Sequence, residues 1–420
     1  VGGARVRPVP DGRSTTTDAD GAFVLTGRAP APREIAVDRE RFSPARVDVD
    51  PALPATRVVL AIAGLDERVR VVAPLIDGTS VDAFGAARTI VSSAQVDDLG
   101  AVDLASALRR TPGVTITRFN PVGSFGGGDG GAVFIRGMGT SRPGSEIATS
   151  IDGAPVYMGV WTHPLLDLLP VAGMDQITVL KGPQPQTFGN AFAAVDIVTR
   201  RPRDEGFEGT FRVSGGAFAT FAEHVSLAGR RGPWDVSASQ AFARSDGHRE
   251  AADGRLAHAF GRVGYRWNAN WSASAQVLHA DNAASDPGVI GFPATRTGRY
   301  ETRGTMTSAR VAHAHDRVTG SLQVYANRGA GDWLNQLDLE GDTLTRFALT
   351  GARWRESAAL WQGGSVSGGL DVDRISGNAT FDRIAPAQDA RFDGEALTIV
   401  SPHVGMDHTF ALSSGWAITP

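Results

Sequence analysis

The second half of the chain alternates apolar and polar residues along extended stretches. The clearest case is 271–277, where Trp271, Ala273, Ala275 and Val277 alternate with Ser272, Ser274 and Gln276. A period of two places successive side chains on opposite faces of a β-strand. The same alternation at 234–239, 321–325 and 370–373 predicts antiparallel strands, with one apolar and one polar face, through residues 206–420.

The predicted connections between these strands alternate in length. The short ones are 229–233, 268–270 and 315–318, and the long ones are 245–255, 281–302 and 328–342. Tight turns at one end and long loops at the other are typical of outer-membrane barrels, whose strands cross the bilayer with about ten residues. Tyr265, Trp267 and Trp271 flank one short turn, as in an interfacial aromatic belt. A soluble β-sandwich is the alternative, but sandwich loops do not usually alternate so regularly, so we predict a transmembrane barrel.

Residues 76–205 mix helical and strand patterns. Ser92 or Ser93 is placed to cap a short helix that runs through Asp98, and a second helix carries the apolar stripe of 104–108. Glycine-rich loops at 123–131 and 137–144 separate the strands that follow. The predicted strands are Val114–Ile116, Val133–Arg136, Ala148–Ile151, Gln176–Leu180 and Val195–Thr199.

Residues 1–63 have the pattern of a small β-sandwich. Five short β-rich runs are separated by Pro, Gly and Asp, at Arg5–Val9, Ala22–Leu25, Glu34–Val37, Arg46–Val49 and Arg57–Ile62. The Thr17–Phe23 hairpin resembles that of the carboxypeptidase-regulatory-like domain, a resemblance that implies no peptidase activity. The expected first strand of that domain is missing before Val1, so we treat the domain as partial. Residues 64–75 form a linker.

The amino-acid composition excludes several classes of function. Lys and Arg total 41 against 45 Asp and Glu, a net charge of −4, so no strong basic field points to nucleic acid. The absence of cysteine excludes disulfides, thiolate metal sites and a cysteine nucleophile. No apolar run reaches the 18 residues or so of a membrane-spanning helix. Contact with a membrane would therefore be made by strands.

Motifs for catalysis or cofactor binding are weak. Gly126, Gly128 and Gly131 fit G-x-G-x-x-G but do not follow a strand and open a helix, so a flexible loop is the better interpretation. His313 and His315 share one strand face and could bind a metal, although such a pair is more often polar surface. We predict no enzyme activity, no cofactor and no metal.

Four motifs in order resemble the plug domain of TonB-dependent outer-membrane receptors. They are Asp103–Val114, Val133–Gly139, Ile151–Val156, and Met174–Pro183 with Phe188-Gly189 and Val195–Pro202. Two departures stand out. Phe188 replaces the family's tyrosine, and Ala193–Ile197 stands where Gly-Gly-x-Ile-Asn is usual. The domain order is then a partial carboxypeptidase-regulatory-like sandwich at 1–63, a linker at 64–75, a plug at 76–205 and the N-terminal part of a barrel at 206–420.

The resemblance implies a mainly β protein of the Gram-negative outer membrane, with the plug and N-terminal domain on the periplasmic side. It implies import of a scarce ligand such as a ferric siderophore. The import would be driven by the proton-motive force through TonB, with ExbB and ExbD. The partners are then these proteins, outer-membrane lipid and a small chelate, and no nucleic acid. The alternative is a binding or signalling protein that keeps the scaffold without transport.

The resemblance also assigns candidate residues. The segment Val69, Arg70, Val71, Val72 and Ala73 stands where the TonB box would lie, and it could instead be the first strand of the plug. Arg136 and Lys181 are expected to pair with acids of the barrel wall. The other structural motif residues are Gly137, Asp152, Gly153, Gly182, Pro183 and Gly189, whose glycines suit positive φ or close backbone approach. Apical loops supply the ligand candidates Phe119, Arg142, Tyr157, Trp161 and His163.

The number of strands indicates an incomplete barrel. Residues 206–420 hold ten or eleven candidate strands, whereas plugged transporters close with about 22. An open wall would leave unpaired strand edges in lipid. We therefore expect this chain to be a fragment of a longer protein, truncated at both ends.

Overall fold

The computed structural model divides the chain into two compact units, Val1–Val71 and Val72–Pro420. We describe each unit by itself. The structure describes residues 2–9, 14–25, 34–39, 45–50, 55–60, 88–123, 133–139, 147–161, 163–164, 168–189, 191–202, 204–288, 298–336, 341–408, 410–411 and 417–418. The TonB-box candidate Val69–Ala73, the ligand candidate Arg142 and most of the 123–131 loop lie outside these residues.

The first unit is built on an antiparallel sheet with strand order β2-β1-β3-β4. The strands are β1 (Arg5–Val9), β2 (Thr15–Thr16), β3 (Glu34–Asp38) and β4 (Ala45–Asp48). The Asp18 carboxylate accepts hydrogen bonds from the backbone N–H of Asp20 (3.0 Å) and Ala22 (2.9 Å), which fixes the predicted 17–23 turn.

Two predicted strands of this unit are wrong. Residues 22–25 and 57–60 make no sheet pairing in the described structure. Their apolar side chains are used differently, because Phe23, Leu25, Val58 and Leu60 pack against the core made by Ala4, Val6, Ile35 and Val37. Apolar spacing predicted burial here, but it did not determine hydrogen bonding.

The second unit begins with a mixed α/β domain, which we call the plug. Its central sheet has the order β10-β9-β14-β13-β5, with β9 and β14 parallel, and β6, β7 and β8 form a separate small sheet. The strands are β5 (Arg88–Ser92), β6 (Val114–Ile116), β7 (Val133–Ile135), β8 (Met138–Gly139), β9 (Ile147–Ile151), β10 (Ala154–Pro155), β11 (Tyr157–Met158), β12 (His163–Pro164), β13 (Met174–Leu180) and β14 (Ala193–Thr199).

The plug helices begin at side-chain caps. α1 (Ser93–Asp98) starts after Ser92, whose hydroxyl accepts from the Gln95 N–H at 3.3 Å, so Ser92 is the cap. α2 (Leu104–Leu108) starts after Asp103, whose carboxylate accepts from the Ser106 N–H at 2.8 Å. α3 (Pro185–Phe188) is a single turn, and a 3₁₀ turn spans Gly159–Trp161. Among the described residues, no helix is long and apolar enough to span a membrane.

The rest of the unit is a ten-stranded antiparallel sheet in chain order, which we call the wall. Two strands of two residues each, β25 (Phe410–Ala411) and β26 (Ala417–Ile418), follow the wall and pair antiparallel with each other. The wall strands are β15 (Gly206–Gly216), β16 (Thr220–Arg231), β17 (Trp234–Ser245), β18 (Gly254–Arg266), β19 (Trp271–Ser285), β20 (Arg299–Ala314), β21 (Val318–Gln336), β22 (Gly341–Trp361), β23 (Gly364–Asp382) and β24 (Ala390–His408).

Several wall strands are longer than predicted. The predicted 328–342 loop is wrong, because β21 and β22 remain paired as far as Gln336 and Gly341. The predicted 281–302 loop shrinks to 286–298. Backbone pairing does not require apolar alternation, so the strands continue where both of their faces are polar.

The two faces of the wall follow the predicted parity. Val277, Leu322 and Val324 are exposed on the outer face, whereas Gln323 and Tyr325 are buried on the inner one. The inner face packs on the plug through one continuous apolar cluster, in which wall residues Phe260, Leu278, Met306 and Phe347 join plug residues such as Ile177 and Val195. The plug therefore sits against the concave side of the strands.

Candidate functional site between the plug and the wall

The turn between β9 and β10 is where the wall holds the plug most directly. Asp152 (φ 48°) and Gly153 (φ 78°) form this tight turn. Gln323 Nε2 donates to the Asp152 carbonyl oxygen at 3.2 Å, and Arg353 donates to the Gly153 carbonyl oxygen. Asn327 Nδ2 donates to the Pro155 carbonyl oxygen. Three inward polar side chains of two adjacent strands thus bind one turn, which we call the docking turn (152–155).

The Asp152 carboxylate connects the docking turn to the end of the plug. It accepts hydrogen bonds from the Thr199 N–H (3.1 Å) and hydroxyl (2.6 Å), and Arg201 lies 3.2 Å away. Burial raises the pKa of Asp152, but the Arg201 charge and the Thr199 hydrogen bonds outweigh it and hold the pKa below its ordinary value. Asp152 is therefore ionised at neutral pH, and it holds the residues that lead into β15.

A second buried carboxylate, Asp196 of β14, faces the same turn. Its Oδ1 accepts from the Ser150 hydroxyl and from the Gly153 N–H at 3.0 Å. Its Oδ2 is buried and accepts no hydrogen bond from the described residues. Burial, assisted by the negative charge of Asp152, raises the pKa of Asp196 to about 7. Each carboxylate accepts two hydrogen bonds from the described residues, but only Asp152 makes the 3.2 Å ion pair with Arg201, so its pKa is lowered while that of Asp196 is raised.

Arg136 and Lys181 lie close to each other. Arg136 is exposed at a positive-φ position (51°), and Lys181 is buried. Burial and the Arg136 charge lower the pKa of Lys181. In the described part of the chain neither cation makes an ion pair with a wall acid, so that pairing stays a prediction. Other residues make the described plug–wall ion pairs: Arg212 of β15 binds Asp97 of α1, and Arg200 at the end of the plug binds Glu208 of β15 at 2.6 Å.

The predicted glycine positions behave unequally. Gly137 (φ 85°), Gly153 and Gly189 (φ 60°) have the positive φ that suits glycine, whereas Gly182 is not among the positive-φ residues. Pro183 is exposed beside it. Close approach matters elsewhere, at glycines that the sequence did not single out. A Cβ on Gly331 of the wall would lie 2.8 Å from Met158 Cε, and one on Gly377 would lie 2.4 Å from Val160 Cγ2.

The ligand candidates lie on plug segments that contact the wall. Trp161 Nε1 donates to Thr345 Oγ1 at 2.8 Å, and its ring meets Phe381 edge-on at 6.1 Å. Phe119 lies under Arg249, whose guanidinium carbon is 6.0 Å from the ring centroid. Arg249, Thr345 and Phe381 belong to the long-loop end of the wall, so the structure brings Phe119 and Trp161 to that end.

The other two candidates differ. Tyr157 is half-buried against Tyr325 and Leu349, and burial raises its pKa. For His163 only the backbone in β12 is described. Among the residues that sequence reasoning missed, Asn120 binds the same end: its Nδ2 donates to the Asp253 and Ser285 carbonyl oxygens, both at 2.9 Å. A polar residue in a loop carries no sequence signal for such a contact.

A mixed α/β domain docked on the inner face of an antiparallel strand wall is the architecture of a plugged outer-membrane receptor. Residues 80–195 match the TonB-dependent Receptor Plug Domain family. The chain therefore carries the plug domain of a TonB-dependent receptor, followed by strands with the fold of these receptors' barrels.

Comparison with individual proteins agrees with this family. The vitamin B12 transporter BtuB of Photobacterium profundum is 23% identical over 358 residues, which cover 79% of this chain and 56% of that protein. The FpvA–pyoverdine–iron complex of P. aeruginosa aligns with a TM-score of 0.61 at 13% identity, over 79% of this chain and 50% of that one. The ferric-catecholate import receptor Fiu of K12 E. coli aligns with a TM-score of 0.54 at 14% identity, over 81% and 61%. The chain spans between 50% and 61% of the length of these relatives.

Proposed function

We propose that the protein containing this chain is an outer-membrane importer of a scarce small molecule, such as a ferric siderophore, powered through TonB. The observation that carries the proposal is the docking turn. The wall binds it through hydrogen bonds from Gln323, Arg353 and Asn327 to backbone carbonyl oxygens. The two neutral bonds contribute about 1 kcal/mol net each and the charged Arg353 bond about 1.5–3 kcal/mol, so the contact positions the plug and can still be released.

The link from Asp152 to Thr199 and Arg201 gives the docking turn a route to the rest of the plug. Thr199 ends β14, which pairs with β9 and β13 in the central sheet. A pull on the sheet from the periplasmic side would be transmitted to the docking turn through these strands. TonB, with ExbB and ExbD, would supply that pull, and Val69–Ala73 is the segment that we propose pairs with a TonB strand.

Ligand contact is proposed at the long-loop end. Trp161 and Phe119 offer aromatic surfaces there, and Arg249 offers a cation beside Phe119. An aromatic and cationic lining suits an anionic aromatic chelate. The relatives carry ferric pyoverdine, ferric catecholates and vitamin B12, and the first two are the ligands that such a lining favours.

The test uses the full-length parent protein in a host that lacks its own receptors. Uptake of iron-55 from ferric pyoverdine and a ferric catecholate, and of cobalt-57 vitamin B12, is measured with and without a proton-motive-force uncoupler. We expect uncoupler-sensitive uptake of one iron chelate. Val71→Pro removes a backbone donor that strand pairing needs and should abolish uptake while binding remains. Val71→Ala is the matched control and should leave uptake nearly unchanged.

The alternative is a binding or signalling protein on the same scaffold. It predicts chelate binding at the cell surface with no uncoupler-sensitive accumulation, and no effect of Val71→Pro on any measured property. That outcome would overturn the importer proposal.

A further inference from the structure

The outer face of the wall carries an apolar groove with a volume of about 380 Å³. Its floor consists of small side chains, Ala273, Ala275 and Ala309. One side is formed by Trp234, Val263 and Tyr265, and the other by Leu322 and Val324. In a membrane-spanning wall this face meets lipid, and small residues between large ones form a channel in that surface rather than a flat one.

The groove ends at a polar row near the short-turn end of the wall, which is marked by the turns at 232–233, 267–270, 315–317 and 362–363. Trp271, His313, Gly320 and Glu356 stand opposite one another on β19 to β22. The next row of outward-facing residues, two positions along each strand, consists of Ala273, Val311, Leu322 and Trp354. The first three of these residues line the groove. Groove and polar row are therefore continuous on the lipid face.

Glu356 is the unusual member of this row, since a carboxylate on a lipid-facing surface is costly unless it is paired. Its Oε1 accepts from Trp354 Nε1 at 3.3 Å and contacts His313 Nε2 at 3.1 Å. It reaches His313 across Gly320, where a Cβ would lie 2.3 Å from Glu356 Oε2. In the described part of the chain no Lys or Arg pairs with this carboxylate.

The surroundings of Glu356 favour a cationic head group. The Trp271 ring lies 4.9 Å from the His313 ring in a tilted contact, and His313 lies 5.5 Å from His315. An alkylammonium group binds a carboxylate by charge and is also attracted to nearby indole rings. An exposed cation, Arg317, follows in the 315–317 turn and suits a phosphate. Described His, Asp and Glu side chains form no group of three or more that could hold a metal.

We propose that the groove and the polar row together bind one phospholipid with an ethanolamine head group. An acyl chain lies in the groove over Ala273, Ala275 and Ala309. The ammonium group binds the Glu356 carboxylate beside His313 and Trp354. This proposal rests on the outer-membrane placement in the proposed function, but not on transport.

The experiment uses the full-length receptor, purified in detergent and examined by native mass spectrometry with added lipid. The probes are palmitoyl-oleoyl phosphatidylethanolamine and the phosphatidylglycerol with the same chains. Because the ammonium group makes a charge-assisted hydrogen bond to the carboxylate, we expect about a tenfold preference for ethanolamine. A tenfold preference corresponds to about 1.4 kcal/mol. Glu356→Gln should remove this preference. Ala309→Leu fills the floor and should lower retention of both lipids.

The matched control is Ala259→Leu, which adds the same side chain on the outer face of β18 at an exposed position outside the groove. It should retain lipid as the unmodified receptor does. Equal retention of the two lipids by the unmodified receptor, stronger retention of lipid A than of either, or no effect of Ala309→Leu would overturn the proposal. Chelate uptake should persist in both groove variants, so a failure of the lipid result leaves the transport test intact.

Discussion

Arg353 of the wall donates a hydrogen bond to the backbone carbonyl oxygen of Gly153 in the docking turn. The two residues are 200 positions apart in the chain. Arg353 also lies over the Tyr325 ring, 5.8 Å from its centroid, which holds the guanidinium in place. One wall side chain therefore contacts the docking turn of the plug directly.

Replacing Arg353 with Met should loosen the docking turn. The Gly153 carbonyl would lose its donor, and a lost hydrogen bond at a buried charged donor costs about 1.5–3 kcal/mol. Asp371 would keep its bidentate partner Arg355, and Asp373 would keep the hydrogen bond from the Tyr325 hydroxyl. Hydrogen exchange of residues 150–156 in the full receptor should accelerate. Arg391→Met, which removes an exposed pair with Asp393, is the control and should change nothing there; unchanged exchange in Arg353→Met would contradict the docking role.

The stability of the plug should depend on pH through Asp196. Its pKa is about 7 when folded against 3.8 ordinarily, so the folded plug binds the proton more tightly than the unfolded chain does. Its stabilising effect is therefore fully present below pH 3.8 and is lost as the pH rises to about 7. Asp152 acts in the opposite direction and loses its contribution in acid, because its pKa is lowered.

Asp196→Asn isolates the first effect. The amide keeps the Oδ1 acceptor for Ser150 and Gly153 and cannot ionise. The free energy of plug unfolding is measured by hydrogen exchange of β14 from pH 5 to pH 8. Its dependence on pH should be much smaller in this variant. The variant should be the more stable of the two at pH 8. An equal slope in both proteins would show that Asp196 does not titrate in this range.

Asp103 should contribute to plug stability in two separable ways. It caps α2 and also binds Arg118, with Arg118 Nη2 at 2.6 Å from Oδ2. Asp103→Ala removes both contacts and should cost at least the 1–2 kcal/mol or so of a helix cap. Asp103→Asn keeps the cap oxygen and should cost less. Limited proteolysis between residues 99 and 112 would rank the three proteins, and equal cleavage of the two variants would assign the whole effect to the Arg118 pair.

Gly159 and Ile375 form a close plug–wall contact. A Cβ on Gly159 would lie 1.9 Å from Ile375 Cγ2, so Gly159→Ala should destabilise docking by about 1–3 kcal/mol. Ile375→Ala removes that methyl group and should recover most of the loss in the double variant. Thermal unfolding of the four proteins measures the coupling. Gly209→Ala, whose nearest atom would be 3.6 Å away, is the neutral control, and additive losses would refute the contact.

Local patterns predicted most of the fold. Period-two alternation located the wall strands and their faces, and residue type and spacing narrowed the cap of α1 to Ser92 or Ser93. The Asp152-Gly153 turn was predicted from the family resemblance. Those signals are local because capping, turn geometry and strand parity depend on neighbours in the chain. Strand ends such as those near Gln336 and Gly341 lack alternation and were missed.

The site was predictable only in part. Parity placed Gln323 on the inner face, but it could not select the Asp152 carbonyl, 171 residues away, as its partner. The paired carboxylates were missed for a related reason. The sequence around Asp196 does not indicate that its side chain lies beside the Gly153 N–H and the Asp152 carboxylate. These groups come together only through the parallel pairing of β9 with β14.

Asn120 has a consequence for the outer loops. Its single amide group joins the ends of two separate loops, through the carbonyl oxygens of Asp253 and Ser285. The plug therefore also holds the ends of two wall loops together. A variant without the plug would lose this shared attachment, and the two loop ends would be free to separate.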